Sequence, residues 1–265
     1  MDQSMMDCAK ITLTVFAALF SLAAGRTHFP GHFHAALTQE NTLSPMGSNT
    51  VSEREESMKD WVKISESERT IKVGRGQRLV VDCEAIGSPS PRIQWLRDNR
   101  PITQLMEEDN VVRGFGLAKI VRTYVADCAS PSHEGEYTCT AISGGETAIS
   151  SSTQVIVDDD MRSECQPGAP KISVWAPIVM QTMGSDVRIP CRVHGIARVS
   201  WVSKDGQLVS NAPGSRFRVL ESGDLEITKL KWVDMGKYSC YAENHIGKDT
   251  VSTFLYPMLV SDKLK

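Results

Sequence analysis

The chain has 265 residues and a formal net charge of −3; 41% of its residues are hydrophobic and 23% charged. This is close to a soluble globular average and excludes wholesale disorder. The slight negative charge supplies no basic field for nucleic acid, and the length admits one large domain or two ordinary ones. Aromatic residues are only 6%, which suits lean β domains better than a large aromatic-rich core.

In chain order, residues 1–25 contain the apolar run ITLTVFAALFSLAA, preceded by Lys10 and followed by Gly25 and Arg26. A short apolar run with a basic flank and small residues at its exit reads as a secretory signal peptide. It is shorter than the roughly 20 residues of a comfortable membrane span; a signal anchor is the competing reading. Cleavage would remove Cys8 and leave six cysteines, an even number that in an exported chain implies disulfides. Residues 26–59 are rich in Ser, Thr, His and Glu with no apolar period, and read as a disordered leader. His28, His32 and His34 lie there, and histidines on such a tail lack the second shell of a metal site. No metal and no cofactor are therefore expected.

From Trp61 onward short β runs take over. They cover 78–83 (RLVVDC), 93–96 (IQWL), 117–125 and 152–157, separated by turn signals at Gly87-Ser88-Pro89, Asp98-Asn99 and Gly144-Gly145. Residues 187–191, 199–202, 216–220, 224–227, 237–243 and 250–256 repeat the plan. No stretch carries a sustained helical period, and strands at this spacing predict all-β sandwiches. The expected organisation is a first domain over 60–158, a linker over 159–169, a second domain over 170–258 and a polar tail over 259–265.

One constellation occurs twice: Cys, Trp about a dozen residues on, then Tyr-x-Cys. It is Cys83, Trp95, Tyr137 and Cys139 in the first unit and Cys191, Trp201, Tyr238 and Cys240 in the second. This is the immunoglobulin signature, in which a disulfide ties strand B to strand F, the Trp of strand C packs on it, and the Tyr bonds backbone at the E–F corner. The fold class is thus two tandem immunoglobulin-like sandwiches of C2/I type. Each bridge closes about fifty residues and is worth roughly 4 kcal/mol on the chain-entropy model. The second corner has Asp234, Gly236 and Tyr238, whereas the first has His133 where that Asp would lie, so its corner is expected to be altered. Cys128 precedes the first corner and Cys165 follows strand G, which places both at the bottom of the first domain. An intramolecular Cys128–Cys165 bridge pinning the linker is expected, with an intermolecular bridge in a dimer as the alternative; the oligomeric state stays open.

No Gly-rich phosphate loop, GxSxG elbow or HExxH pair is present, so an enzyme is not expected. His133, His194 and His245 read as solvated loop histidines. There is no N-x-S/T sequon. No hydrophobic stretch follows Val260, so neither a membrane nor a lipid anchor is expected, and the product should be extracellular.

The second unit carries more specific residues: Met183-Gly184-Ser185-Asp186 before strand B, Gly223-Asp224-Leu225, Lys231-Trp232, Asp234-Met235-Gly236, Asn244, Gly247-Lys248-Asp249-Thr250, Phe254 and Tyr256-Pro257. Together with Asp60-Trp61, Lys63 and Pro91 in the first unit, this resembles the insect neural/ectodermal development factor (imaginal morphogenesis protein-late 2) family, and is similar in layout to nematode zwei-Ig proteins. The resemblance implies a secreted antagonist that sequesters insulin-like peptides and restrains growth signalling. An adhesive or maintenance role through cell-surface proteins is the competing reading. Aromatic anchors dominate binding energy, which makes Trp232, Phe254 and Tyr256 the candidate ligand contacts. Phe254 and Tyr256 are two apart on strand G and share a face, while Trp175 is expected at the domain junction.

Overall fold

The computed structural model describes residues 60–102 and 116–259. The expected signal segment, leader histidines and the tail beyond Leu259 lie outside the described residues. The first sandwich contains β1 (Trp61–Ile64), β2 (Thr70–Gly74), β3 (Leu79–Ser88), β4 (Arg92–Arg97), β5 (Arg100–Pro101), β6 (Leu117–Ala126), β7 (Gly135–Ser143), β8 (Glu146–Ile149) and β9 (Thr153–Asp158). The second contains β10 (Lys171–Thr182), β11 (Val187–Ile189), β12 (Cys191–His194), β13 (Arg198–Val202), β14 (Phe217–Val219), β15 (Leu225–Ile227), β16 (Gly236–Glu243) and β17 (Lys248–Met258). The single run read over 187–191 is split at Pro190, which has no N–H to give the ladder.

Alternation sets which side of each strand is buried. In β3, Leu79, Val81, Cys83 and Ala85 point inward, and in β16, Tyr238, Cys240 and Ala242 do. Cys83 joins Cys139 and Cys191 joins Cys240 across the two cores, with Trp95 and Trp201 buried among the core residues. Each indole N–H finds a carbonyl: Trp95 Nε1 donates to Arg122 O at 3.2 Å and Trp201 Nε1 to Gly223 O at 2.8 Å. Gly223 has φ +91°, and a Cβ there would run into the Cys191 carbonyl. Only glycine fits that approach without strain.

The sequence expectation is a linker over 159–169 pinned to the first domain, and these residues carry no strand; the structure adds a sheet that runs through both sandwiches. The described residues all fall within one compact unit, because β10 belongs to both sandwiches. Along one edge it pairs with β12 and, in parallel, with β17; along the other it pairs antiparallel with β6. One sheet therefore runs β1-β3-β6-β10-β17-β16-β13 through both sandwiches. The remaining layers are a β2-β9-β7-β4-β5 sheet in the first and a β11-β15-β14 sheet in the second. In an immunoglobulin sandwich the outer edge of strand E pairs with strand D; here β10 takes that edge of β6. The junction satisfies backbone groups that an open edge would leave exposed.

Residues between β9 and β10 are pinned to the first sandwich. Ser163 N donates to Arg75 O at 2.8 Å, and Arg75 N to Asp158 O at 3.0 Å. The Cys128–Cys165 bridge is intramolecular. A further contact crosses the junction: Asp127 forms an ion pair with Arg78 at 2.7 Å and sits 2.9 Å from His194 Nε2. His194, expected as a solvated loop residue, is instead half-buried at the end of β12.

Candidate functional site

Both hydrophobic cores lie on the same side of the shared sheet. Ala118 on β6, Val179 on β10 and Leu255 on β17 are register partners, and all three are fully buried. The opposite side is consequently one continuous outward surface. Register aligns Lys63, Ile86, Lys119, Ile178, Phe254 and Lys237 across it, one from each of six adjacent strands. A second row brings together Leu117, Met180 and Tyr256. At about 4.8 Å per strand the six-residue row spans about 24 Å, close to the width of a standard protein–protein interface.

This surface keeps large apolar groups in solvent. Trp61 is 40% exposed, Ile178 38%, Phe254 46% and Trp232 47%. Contiguous apolar exposure on a folded chain marks an interaction site more than chance does. Trp232 lies in a 3₁₀ turn, Trp232–Asp234, that leads into β16. Its ring meets the Tyr256 ring edge-on, centroids 5.8 Å apart. Trp232 thus forms an aromatic pair on the outward face. All three candidate contacts, Trp232, Phe254 and Tyr256, come together there. Sequence reasoning missed Ile178, Met180, Ile86 and Leu117, which join them only through β10. Trp175 is opposite Val121 of β6 at the junction.

The turn holding Trp232 is fixed by the corner beneath it. Tyr238 Oη donates to Asp234 O at 2.8 Å. The Asp234 carboxylate accepts from both terminal nitrogens of Arg216, at 2.9 and 2.7 Å, and from Lys231 N at 2.8 Å. Burial raises the Asp234 carboxyl, but the Arg216 and Lys231 bonds outweigh it and hold it below the usual carboxylate range. Burial pushes the Tyr238 hydroxyl well above its ordinary range. A groove of about 380 Å³ beside this corner is lined by Lys204, Leu208, Phe217, Val233 and Tyr238. Of its two carboxylates, Asp234 is held by Arg216 and Asp205 accepts from Lys204 Nζ at 2.8 Å.

The first corner corrects another expectation. His133 replaces the aspartate, yet Tyr137 Oη still donates to the His133 carbonyl at 2.9 Å, because the acceptor is backbone. His133 Nδ1 accepts from Ser130 N at 3.1 Å, a committed role rather than that of a solvated loop residue; His245 is exposed. Among the described residues no group of three or more His, Cys, Asp or Glu could hold a metal, and no helix is long and apolar enough to cross a membrane.

Two Cys–Trp–Tyr cores under one shared sheet define a tandem immunoglobulin-domain protein with a broad, flat outer face. An immunoglobulin domain family matches residues 63–142, and the immunoglobulin I-set family matches 170–256. The neural/ectodermal development factor IMP-L2 of Drosophila melanogaster is 35% identical over 212 residues, covering 76% of this chain and 78% of that one. The zwei Ig domain protein zig-2 of Caenorhabditis elegans is 32% identical over 209 residues, covering 75% and 86%. The crystal structure of IMP-L2 superposes with a TM-score of 0.64 at 30% identity, over 77% of this chain and 98% of that one. The chain belongs to the IMP-L2 family of two-immunoglobulin-domain proteins.

Proposed function

We propose that the protein is a secreted, non-enzymatic binding protein that sequesters insulin-like peptides and so restrains growth signalling. The family resemblance supplies the ligand class. The observation that carries the reading is the outward surface of the shared sheet, where Ile178, Phe254, Trp232 and Tyr256 form one apolar patch on rigid strands. Such a surface suits a small hormone with apolar helices, because aromatic anchors on a pre-organised scaffold lose little entropy on docking. The signal segment at 1–25 and the three disulfides agree with export to an oxidising compartment.

The test is a titration of fluorescent insulin, and of insulin-like peptides from the same organism, against the purified chain. Saturable binding is expected, with Phe254→Ala or Ile178→Ser weakening it at least about tenfold, the size expected for a central interface residue. Lack of saturable binding to every such peptide defeats the reading and leaves the fold untouched. A cell-surface partner is the second reading. It draws support from Ile142 and Ile149, both exposed on the outer β4-β7-β8 layer of the first sandwich. Capture of membrane receptors rather than a peptide hormone from body fluid would favour it.

A further inference from the structure

The outward row is not uniformly apolar, and its charges are arranged. Lysines stand at both ends, Lys63 on the edge strand β1 and Lys237 on β16, and a third, Lys119, stands in the middle. The middle one is neutralised within the chain: Lys119 Nζ lies 2.5 Å from Glu84, which is the outward neighbour on β3. Burial raises the Glu84 carboxyl, but its bonds to Lys119 and Ser65 prevail and keep it ionised into the acid range. The end lysines are exposed and pair with no carboxylate among the described residues. Lys231, beside Trp232 in the chain, is likewise exposed.

This is the anatomy of a docking surface with an apolar, charge-compensated centre and a cationic rim. An uncompensated ammonium at the centre would cost desolvation when covered; the Glu84 pair lessens that cost. Rim charges stay in water, and their effect is long-range attraction during encounter. The whole chain is net negative, so the protein's overall charge does not draw in an acidic partner and the local lysines must.

We infer that the partner presents an apolar stripe bordered by carboxylates, with Lys63 and Lys237 receiving those carboxylates at the two ends of the row. The inference rests on the binding-face reading and deepens it by specifying the chemistry of the bound surface. Lys63 and Lys237 act on specificity and on the rate of encounter. Ile178 and Phe254 set how long the complex lasts.

The test uses the full mature chain and insulin as the probe, with association and dissociation rates measured at about 50 and 300 mM salt. A Lys63→Glu/Lys237→Glu variant is expected to associate about tenfold more slowly at low salt, with dissociation little changed and the difference shrinking at high salt. Phe254→Ala is expected to do the reverse, raising dissociation at both salt concentrations. Insulins with single exposed glutamates changed to lysine should include one that restores the association rate of the reversed variant. Unchanged association of the reversed variant, beside a Phe254→Ala loss, overturns the inference and leaves the binding face standing. A change in the protein's own sedimentation on charge reversal, with insulin association unaffected, assigns the face to a second copy and also overturns it. No insulin binding by the unmodified chain defeats the binding reading and this inference together. Both lysines are exposed and on strand surfaces, so thermal unfolding of the variants checks that the fold is intact.

Discussion

The two tyrosine corners place a phenol on the same kind of acceptor and surround it with different chemistry. Tyr137 bonds the carbonyl of His133, and Tyr238 bonds the carbonyl of Asp234. In each, the side chain at that position also accepts the N–H three residues earlier, from Ser130 or Lys231. A neutral imidazole nitrogen and a carboxylate oxygen are interchangeable for that single bond. They differ in spare capacity. The carboxylate has lone pairs left for Arg216, whereas the imidazole has one acceptor nitrogen, already used. The motif letter therefore predicts the ion pair and not the tyrosine bond, which any residue's backbone can accept.

Mutations can break this comparison. The largest effect is expected for Cys191→Ala/Cys240→Ala and its counterpart Cys83→Ala/Cys139→Ala, each costing about 2–5 kcal/mol. Because β10 and β6 share a sheet, either loss should lower the melting of both sandwiches together in calorimetry. Two separate transitions would show that the shared sheet does not couple them. Next comes Asp234→Ala, which strands the Arg216 guanidinium partly buried and should cost about 3 kcal/mol, against about 1 kcal/mol for His133→Ala. Denaturant midpoints compare the two, and equal losses would break the distinction between the corners. Tyr137→Phe and Tyr238→Phe remove the same backbone-directed bond, and each should cost about 1 kcal/mol.

Acid titration sharpens the same contrast with a smaller effect. Both Asp234 and Asp127 are held below their ordinary range in the folded chain. For Asp127, burial pushes upward but the bonds from His194 and Arg78 win. A depressed folded value means that unfolding takes up protons, so this stabilisation is complete above the unfolded value of about 4 and is lost as pH falls below it. Stability measured against pH should therefore fall off below about pH 4. Arg216→Met should flatten the part due to Asp234. The smallest change is expected for Asp127→Asn: about 1 kcal/mol or less, since the His194 and Arg78 contacts are partly solvated.

Much of the fold was legible because its determinants are local. Alternation in 78–83 or 237–243 shows which side chains are buried, and the Cys–Trp–Tyr-x-Cys order shows which strands a bridge joins. The pairing of Phe254 with Tyr256 followed from their spacing of two. The candidate site was only half legible. Ile178 reads as an ordinary strand residue until β10 is known to lie beside β17, and Ile86 and Lys63 belong to another sandwich altogether. The role of His194 was hidden for the same reason, since its partner Asp127 lies 67 residues away.

By itself the sequence determined two disulfide-clamped β sandwiches, because cystine, indole and tyrosine at those spacings have one packing solution that needs only contacts within each repeat. Tertiary structure alone decided that the repeats share a sheet. Both edges of β10 carry backbone donors and acceptors whatever its side chains are, so no residue pattern announces which strand an edge will meet. That choice set both cores on one side and left a single surface, apolar in its middle and cationic at its ends, on the other.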